Sequence, residues 1–177
     1  MSKLDDAELV ALAMTQLPYV TTAYEALAKR YHGLIYRTCL GMLRNPNDAE
    51  DVTQAVLIKV FNGLPKFEQR ASFKTWVLRI ATNTCITAAK KKQKEQEYLE
   101  PLEDEESHGQ TVPDHAEADI PFNEIIHMLD ETEQRILTLR FVGESSLNEI
   151  AEIMEMGLSA VKMRFYRALE KLKSQHT

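Results

Sequence analysis

The chain has 177 residues, a formal net charge of −6 and 44% hydrophobic content, which is enough apolar material for one packed domain or two small ones. No apolar run approaches the roughly 18 residues that a membrane-spanning helix needs, and the opening MSKLDDAELV is too acidic and too broken for a signal peptide, so a cytoplasmic location is expected. Cys39 and Cys85 stand far apart with no CxxC spacing and no Cys/His cluster, which argues against a disulfide framework or a zinc site.

Both cysteines are read as small core residues, and no metal or cofactor is expected. The five histidines are scattered, no glycine-rich phosphate loop appears, and no paired carboxylates suggest acid–base chemistry, so the chain is not read as an enzyme. The charge is unevenly placed. Residues 1–92 hold 13 Lys/Arg and 8 Asp/Glu (+5), residues 93–121 hold 1 and 10 (−9), and residues 122–177 hold 7 and 9 (−2).

Taken in chain order, helical spacing of apolar residues predicts helices over Asp5 to Met14, Thr22 to Leu43, Asp48 to Leu64 and Ser72 to Lys92. Asn45-Pro46-Asn47-Asp48 supplies turn and capping chemistry before the third, and Pro65 closes it. On the third helix, Ala49, Val52, Val56, Leu57 and Val60 form the inward stripe, leaving Asp51, Gln54, Ile58 and Asn62 outside. An isoleucine exposed among carboxylate and amide groups suits a protein-docking surface as well as a solvated face with one stray apolar residue.

The fourth helix places Phe73, Trp76, Val77, Ile80 and Thr84 on one side and Thr75, Arg79, Thr82, Ile86 and Lys90 on the other. Trp76, between Phe73 and Ile80, is read as core. From Gln93 to Pro121 periodicity fails, and the prolines and dense negative charge predict an extended tether.

Helical patterns resume over Phe122 to Met128 and Glu131 to Val142. They end in LNEIAEIMEMGLSAVKMRFYRALEKL, two short helices broken at Gly157, the form of a helix-turn-helix. Leu147, Ile150, Ala151 and Met154 make the first stripe, and Leu158, Val161, Phe165, Leu169 and Leu172 the second. At about 100° per residue the second stripe leaves Ser159, Met163 and Arg167 opposite it, with Lys162 and Tyr166 on one edge and Arg164 and Lys171 on the other. Arginine reads guanine edges, lysine and hydroxyls hold phosphates, and Met163 suits a thymine methyl; basic residues late in a helix also complement its dipole.

DAEDVTQAVLIKVFNGLPKF, followed by FKTWVLRIATN and a lysine run, resembles region 2 of the sigma-70 family, in its extracytoplasmic-function (ECF) subgroup. LDETEQRILTLRFVGESSLNEIAEIMEMGLSAVKMRFYRALEKL is similar to region 4, and the two matches cover nearly all of residues 20–173 apart from the tether. The resemblance implies an all-α fold of two small helical domains: residues 1–92 as region 2, residues 93–121 as an acidic flexible linker, and residues 122–177 as a region 4 helix-turn-helix. It implies an alternative sigma factor that binds core RNA polymerase, recognises −35 and −10 promoter elements and promotes melting.

By the same resemblance, Asp48, Glu50, Asp51 and Gln54, beside Ile58, would dock on the polymerase β′ clamp helices, with a further contact at the β flap. The loop Glu68, Gln69, Arg70, Ala71 and Ser72, with Lys74, Arg79, Asn83, Lys90 and Lys91, would capture the −10 element. Ser159, Ala160, Lys162, Met163, Arg164, Tyr166 and Arg167 would meet the −35 element. The linker would thread through polymerase, an anti-sigma partner is implied, and the free chain would be a monomer.

Two departures stand out. Where relatives commonly show Asn-x-x-x-Asp followed by arginines, this chain has Asn83-Thr84-Cys85-Ile86-Thr87 and then Lys90-Lys91-Lys92, which keeps phosphate attraction but no bidentate arginine. Glu155 stands where the family's turn usually has glycine. The alternative reading is a conventional helix-turn-helix regulator, which would bind a palindrome as a dimer.

Overall fold

The computed structural model describes residues 3–99 and 126–174, and every regular element among them is a helix. α1 (Asp6–Gln16) opens on a reciprocal cap: the Glu8 N–H donates to Asp5 Oδ1 at 2.8 Å and the Asp5 N–H to Glu8 Oε2 at 2.9 Å. Two donors that a helix start leaves without partners are thereby satisfied. α2 (Thr22–Leu43) ends at Arg44, which takes the left-handed conformation (φ 54°) and so stops the helix.

α3 (Pro46–Gly63) then starts at once, two residues before the expected Asp48. Asn45 is its cap, accepting from the Asp48 N–H at 3.0 Å, and Pro46 sits in the first turn, where a missing N–H costs nothing. A 3₁₀ turn over Leu64–Lys66 leads to the loop before α4 (Phe73–Leu99).

α4 runs seven residues past the expected end at Lys92. Gln93, Lys94, Glu95, Gln96 and Glu97 are good helix formers but polar all round, so they extend a helix without producing the periodicity that announces one. The rest of the expected tether lies outside the described residues, as does the predicted helix at Phe122 up to residue 125.

In the first module α1–α4 enclose Leu9, Leu27, Ile35, Val56, Leu64 and Val77, all buried. Tyr24 Oη donates to the Leu57 carbonyl at 2.6 Å, and the Tyr31 hydroxyl donates to the Asp6 carboxylate, which Arg30 Nη1 also meets at 2.6 Å. Burial, with the Asp6 contact behind it, pushes the Tyr31 phenol well above its ordinary range. Cys39 and Cys85, distant in sequence, are neighbouring buried free thiols; their mutual hydrogen bond, followed by burial, keeps Cys85 protonated.

The second module contains α5 (Glu131–Phe141), α6 (Leu147–Met154) and α7 (Leu158–Ser174) around Ile136, Leu137, Ile150, Ile153, Val161 and Phe165. Asp130 and Glu133 form a second reciprocal cap, at 2.8 and 3.2 Å. Replacing Asp130 with alanine should cost about 1 kcal/mol, read as a lower urea midpoint with an unchanged slope. Glu133 is buried, and Lys171 Nζ reaches both its oxygens at 2.9 and 3.0 Å.

The helix-turn-helix turns at Glu155, not at Gly157. Glu155 is left-handed (φ 53°) and its N–H closes α6 onto the Ala151 and Glu152 carbonyls, whereas Gly157 has no positive φ. The Gly157 carbonyl accepts from the Val161 N–H at 3.1 Å, so it stands at the start of α7.

The modules are docked. A Cβ on Gly41 of α2 would fall 2.7 Å from the Thr138 side chain of α5, so glycine is what lets these helices approach. Arg44 Nη2 donates to Gln134 Oε1 at 2.8 Å and Nη1 lies 3.0 Å from His127 Nδ1. Leu78 of α4 is fully buried in the second module's core.

Candidate polymerase and nucleic-acid interfaces

The outer face of α3 follows from its inner one. Ala49, Val52, Thr53, Val56 and Val60 are buried against α2 and α4, and the helix then leaves Glu50, Asp51, Gln54, Ile58 and Asn62 exposed. Ile58 is 62% exposed, an apolar side chain held among acidic and amide groups by a rigid scaffold. Asp48 differs from its neighbours. It is half-buried in the first turn of α3 and paired with Lys92 Nζ at 2.7 Å, so the last lysine of the run reaches back to α3 instead of extending the basic strip.

The loop before α4 hangs between two buried aromatics, Phe67 and Phe73. Phe67 stacks on Trp76 (centroids 4.5 Å apart, planes 28° apart), and Trp76 also lies 6.0 Å from Phe73, so the tryptophan packs as core, as its neighbours in sequence predict. Between these anchors Glu68, Gln69, Arg70 and Ser72 are exposed and Ala71 is half-buried. Gln69 is left-handed (φ 57°) with Nε2 3.3 Å from Met14 Sδ; Arg70 Nε meets Glu68 at 3.0 Å in an exposed pair of little energetic weight. Ser72 Oγ caps α4 by accepting from the Thr75 N–H at 3.1 Å.

On α4 itself the expected outward face is corrected. Thr75 and Thr82 are buried, the Thr82 hydroxyl has no hydrogen-bond partner among the described residues, and Lys74 is half-buried; Arg79, Asn83, Lys90 and Lys91 remain exposed. For Lys74 and Thr75 the reason is the docked second module. Lys74 Nζ donates to the Glu144 carbonyl at 3.0 Å, Thr75 Oγ1 donates to Glu149 Oε2 at 3.3 Å, and the Arg79 guanidinium pairs with the Glu155 carboxylate. Sequence reading did not place Leu78, and it placed Glu155 in the turn without pairing it with Arg79; the available signal was an apolar Leu78 interrupting a basic face and a glutamate at a turn suited to glycine.

The last helix presents its predicted face. Val161, Phe165 and Ala168 are buried; Ser159, Lys162, Met163, Tyr166 and Arg167 are exposed, and Ala160 is half-buried at the helix start. Arg164 is the exception. It leans back to Asp130 Oδ2 at 3.3 Å, and Lys171 leans to Glu133, because both lie on the edge of α7 that packs along α5.

An exposed acidic and apolar helix face, an aromatic-anchored polar loop leading to basic α4, and a helix-turn-helix with a basic outer face thus occur in this order. The model of Sigma-70 region 2 matches residues 27–95, and that of Sigma-70 region 4 matches residues 125–174. The chain belongs to the ECF subgroup of the sigma-70 family. It is 30% identical to the ECF RNA polymerase sigma factor SigW of Bacillus subtilis, over 86% of this chain and 88% of that one. It is also 30% identical to the ECF RNA polymerase sigma-E factor of Haemophilus influenzae, over 86% and 87%.

Among solved structures, CnrH in complex with the cytosolic domain of CnrY resembles this sigma factor with a TM-score of 0.69 over 96% of both chains, at 19% identity. RpoE of Bartonella quintana, in complex with the anti-sigma factor NepR, gives 0.73 over 88% of this chain and 96% of that one, also at 19%. Among the described residues no helix of this ECF sigma factor is long and apolar enough to cross a membrane, and no cluster of His, Cys, Asp and Glu could hold a metal ion.

Proposed function

We propose that this chain is an alternative sigma factor that directs core RNA polymerase to promoters with defined −35 and −10 elements and opens them. The observation that carries this reading is the pairing, in one chain, of the exposed α3 face with two separate DNA-suited surfaces. Glu50, Asp51, Gln54 and Ile58 supply charge complementarity around an apolar contact, the composition of a regulated protein interface. Asp48 contributes once Lys92 releases it.

Capture of the −10 element falls to the Glu68–Ser72 loop, with Lys74, Arg79, Asn83, Lys90 and Lys91 tracking the backbone. Unstacking a base costs a few kcal/mol, which a pocket and phosphate contacts offset. At the −35 element Lys162 holds phosphate, Ser159, Ala160, Met163 and Arg167 face the groove, and Tyr166 flanks it. Arg164 contributes only after leaving Asp130. An anti-sigma factor is the class of protein partner proposed, by analogy with the complex of RpoE and NepR.

The test is selective initiation: purified chain is added to bacterial core polymerase on a fragmented genomic library, and start sites that depend on the chain are mapped. Failure to associate with core, with tight dimeric binding to bare duplex, would assign the chain to conventional regulators instead. Arg167→Ala should then cost about 1–3 kcal/mol of promoter discrimination if it reads a base; a uniform loss across promoters would reduce it to phosphate positioning.

A further inference from the structure

α5 carries a charge inside its packed seam with α7. Glu133 is 3% exposed, yet its carboxylate is fully engaged: Lys171 Nζ donates to Oε1 at 3.0 Å and to Oε2 at 2.9 Å, and the Asp130 N–H donates to Oε2 at 3.2 Å. Seven residues before Lys171 on the same edge of α7, about 10 Å along the axis, Arg164 Nη1 meets Asp130 Oδ2 at 3.3 Å. The two pairs differ in depth. Arg164 and Asp130 are both half-exposed, so their contact is weak and readily exchanged, whereas the Glu133 carboxylate is out of water and must keep its partner.

A buried ion pair is a poor source of stability, because the cost of taking two charges out of water offsets most of their attraction, and an apolar pair of similar volume often serves as well. What it adds is direction. The seam of α7, formed by Val161, Phe165, Ala168, Leu169 and Leu172, is apolar, and non-directional contact fixes which face turns inward without fixing a small roll or slide. A roll of about 20° on a helix whose radius with side chains is about 5–6 Å carries the outer side chains about 2 Å. A carboxylate that must meet Nζ and the Asp130 N–H together is satisfied in one seating only.

We infer that Glu133 is a positioning residue for −35 recognition: its hold on Lys171 locks the roll and axial seating of α7, so that Ser159, Lys162, Met163 and Arg167 are presented in one register. The inference rests on the reading of α7 as the −35 helix. Lys171, on the basic edge of that helix, thereby serves the protein side of it, while Arg164 in the weaker pair stays free to exchange. Groups that read bases must be held within about 0.5 Å and 10–20° of their working geometry, so a loosened α7 should lose discrimination before it loses affinity.

The test uses the full chain with Glu133→Gln, the double variant Glu133→Gln/Lys171→Met, and Lys171→Arg. Glutamine at this position still reaches back to the cap N–H, so the start of α5 is kept. The double variant leaves no charge without a partner, which guards against a single variant that fails to fold. With core polymerase on a library of −35 substitutions, the preference for the best element over its single-base variants should fall about tenfold for Glu133→Gln and for the double variant, within the range of one lost base contact. Lys171→Arg, which keeps the pair, should retain wild-type discrimination. Nitrogen-15 NMR of the free chain reads the seating without DNA: the amides of residues 159–167 should be single and sharp in wild type and exchange-broadened in Glu133→Gln.

Wild-type discrimination by a folded Glu133→Gln would overturn the positioning role and leave the pair structural. A uniform change across all elements with a steeper salt dependence would overturn it too, by making the freed Lys171 a phosphate contact. If wild type with core ignores −35 substitutions altogether, the reading of α7 falls and any role in −35 recognition falls with it, while the NMR comparison still decides whether Glu133 fixes the helix's seating.

Discussion

Phe165→Ala is expected to remove a large share of the second module's stability and with it recognition of the −35 element, without altering any side chain proposed to touch DNA. Phe165 is buried on the inner face of α7, with its ring 6.2 Å from Phe141 and 5.4 Å from Tyr166. Truncating a buried phenylalanine costs about 3–5 kcal/mol, from lost transfer energy and the cavity left behind. That is a large share of the roughly 5–15 kcal/mol that holds an ordinary domain together. It also acts where the recognition helix meets α5 and α6, so the outer face loses its orientation.

The expected result is an early unfolding transition by circular dichroism and loss of −35-dependent transcription. Lys162→Ala, at an exposed position on the same helix, should leave the unfolding curve in place while weakening promoter binding. If Phe165→Ala melted with wild type, α7 would not depend on this contact for its placement.

The contrast between these residues shows what was legible in the sequence. Val161, Phe165 and Ala168 repeat at helical spacing, so the buried and outer sides of α7 follow from periodicity, as do Val52, Val56 and Val60 beneath Ile58 on α3. Periodicity reports only whether a face is apolar. It therefore missed the extension of α4 to Leu99, whose residues 93–97 are polar all round, and it misplaced Thr75, which bonds to Glu149 of the second module, and Thr82, which is buried.

The turn shows a different limit. Glycine is the usual left-handed residue, so attention goes to Gly157, whereas the structure places that conformation on Glu155, whose carboxylate has a partner far away in sequence. Cys39 and Cys85 met in the core for the same reason: pairing between helices is tertiary, and no local pattern encodes it.

The second large effect is expected at the polymerase-docking face. The double substitution Asp51→Lys/Ile58→Glu should weaken binding to core polymerase about 100-fold, or about 2.7 kcal/mol, the size of a hot-spot loss. Both side chains are exposed and the residues beneath them are buried, so the unfolding transition should stay where it is in wild type. The two changes act differently. Asp51→Lys reverses a charge at the rim, so its effect should appear chiefly in the association rate and fade as salt rises. Ile58→Glu puts a charge where an apolar contact is desolvated, so its effect should appear in the dissociation rate and persist at high salt.

Because the residues are neighbours on one face, the double variant need not equal the sum of the singles, and the departure measures their coupling. A stable double variant that bound core polymerase with wild-type affinity would move the docking surface off α3. Loss of affinity from Ile58→Glu alone, with none from Asp51→Lys, would leave α3 as the docking surface but make its apolar contact, not its charge, the source of recognition.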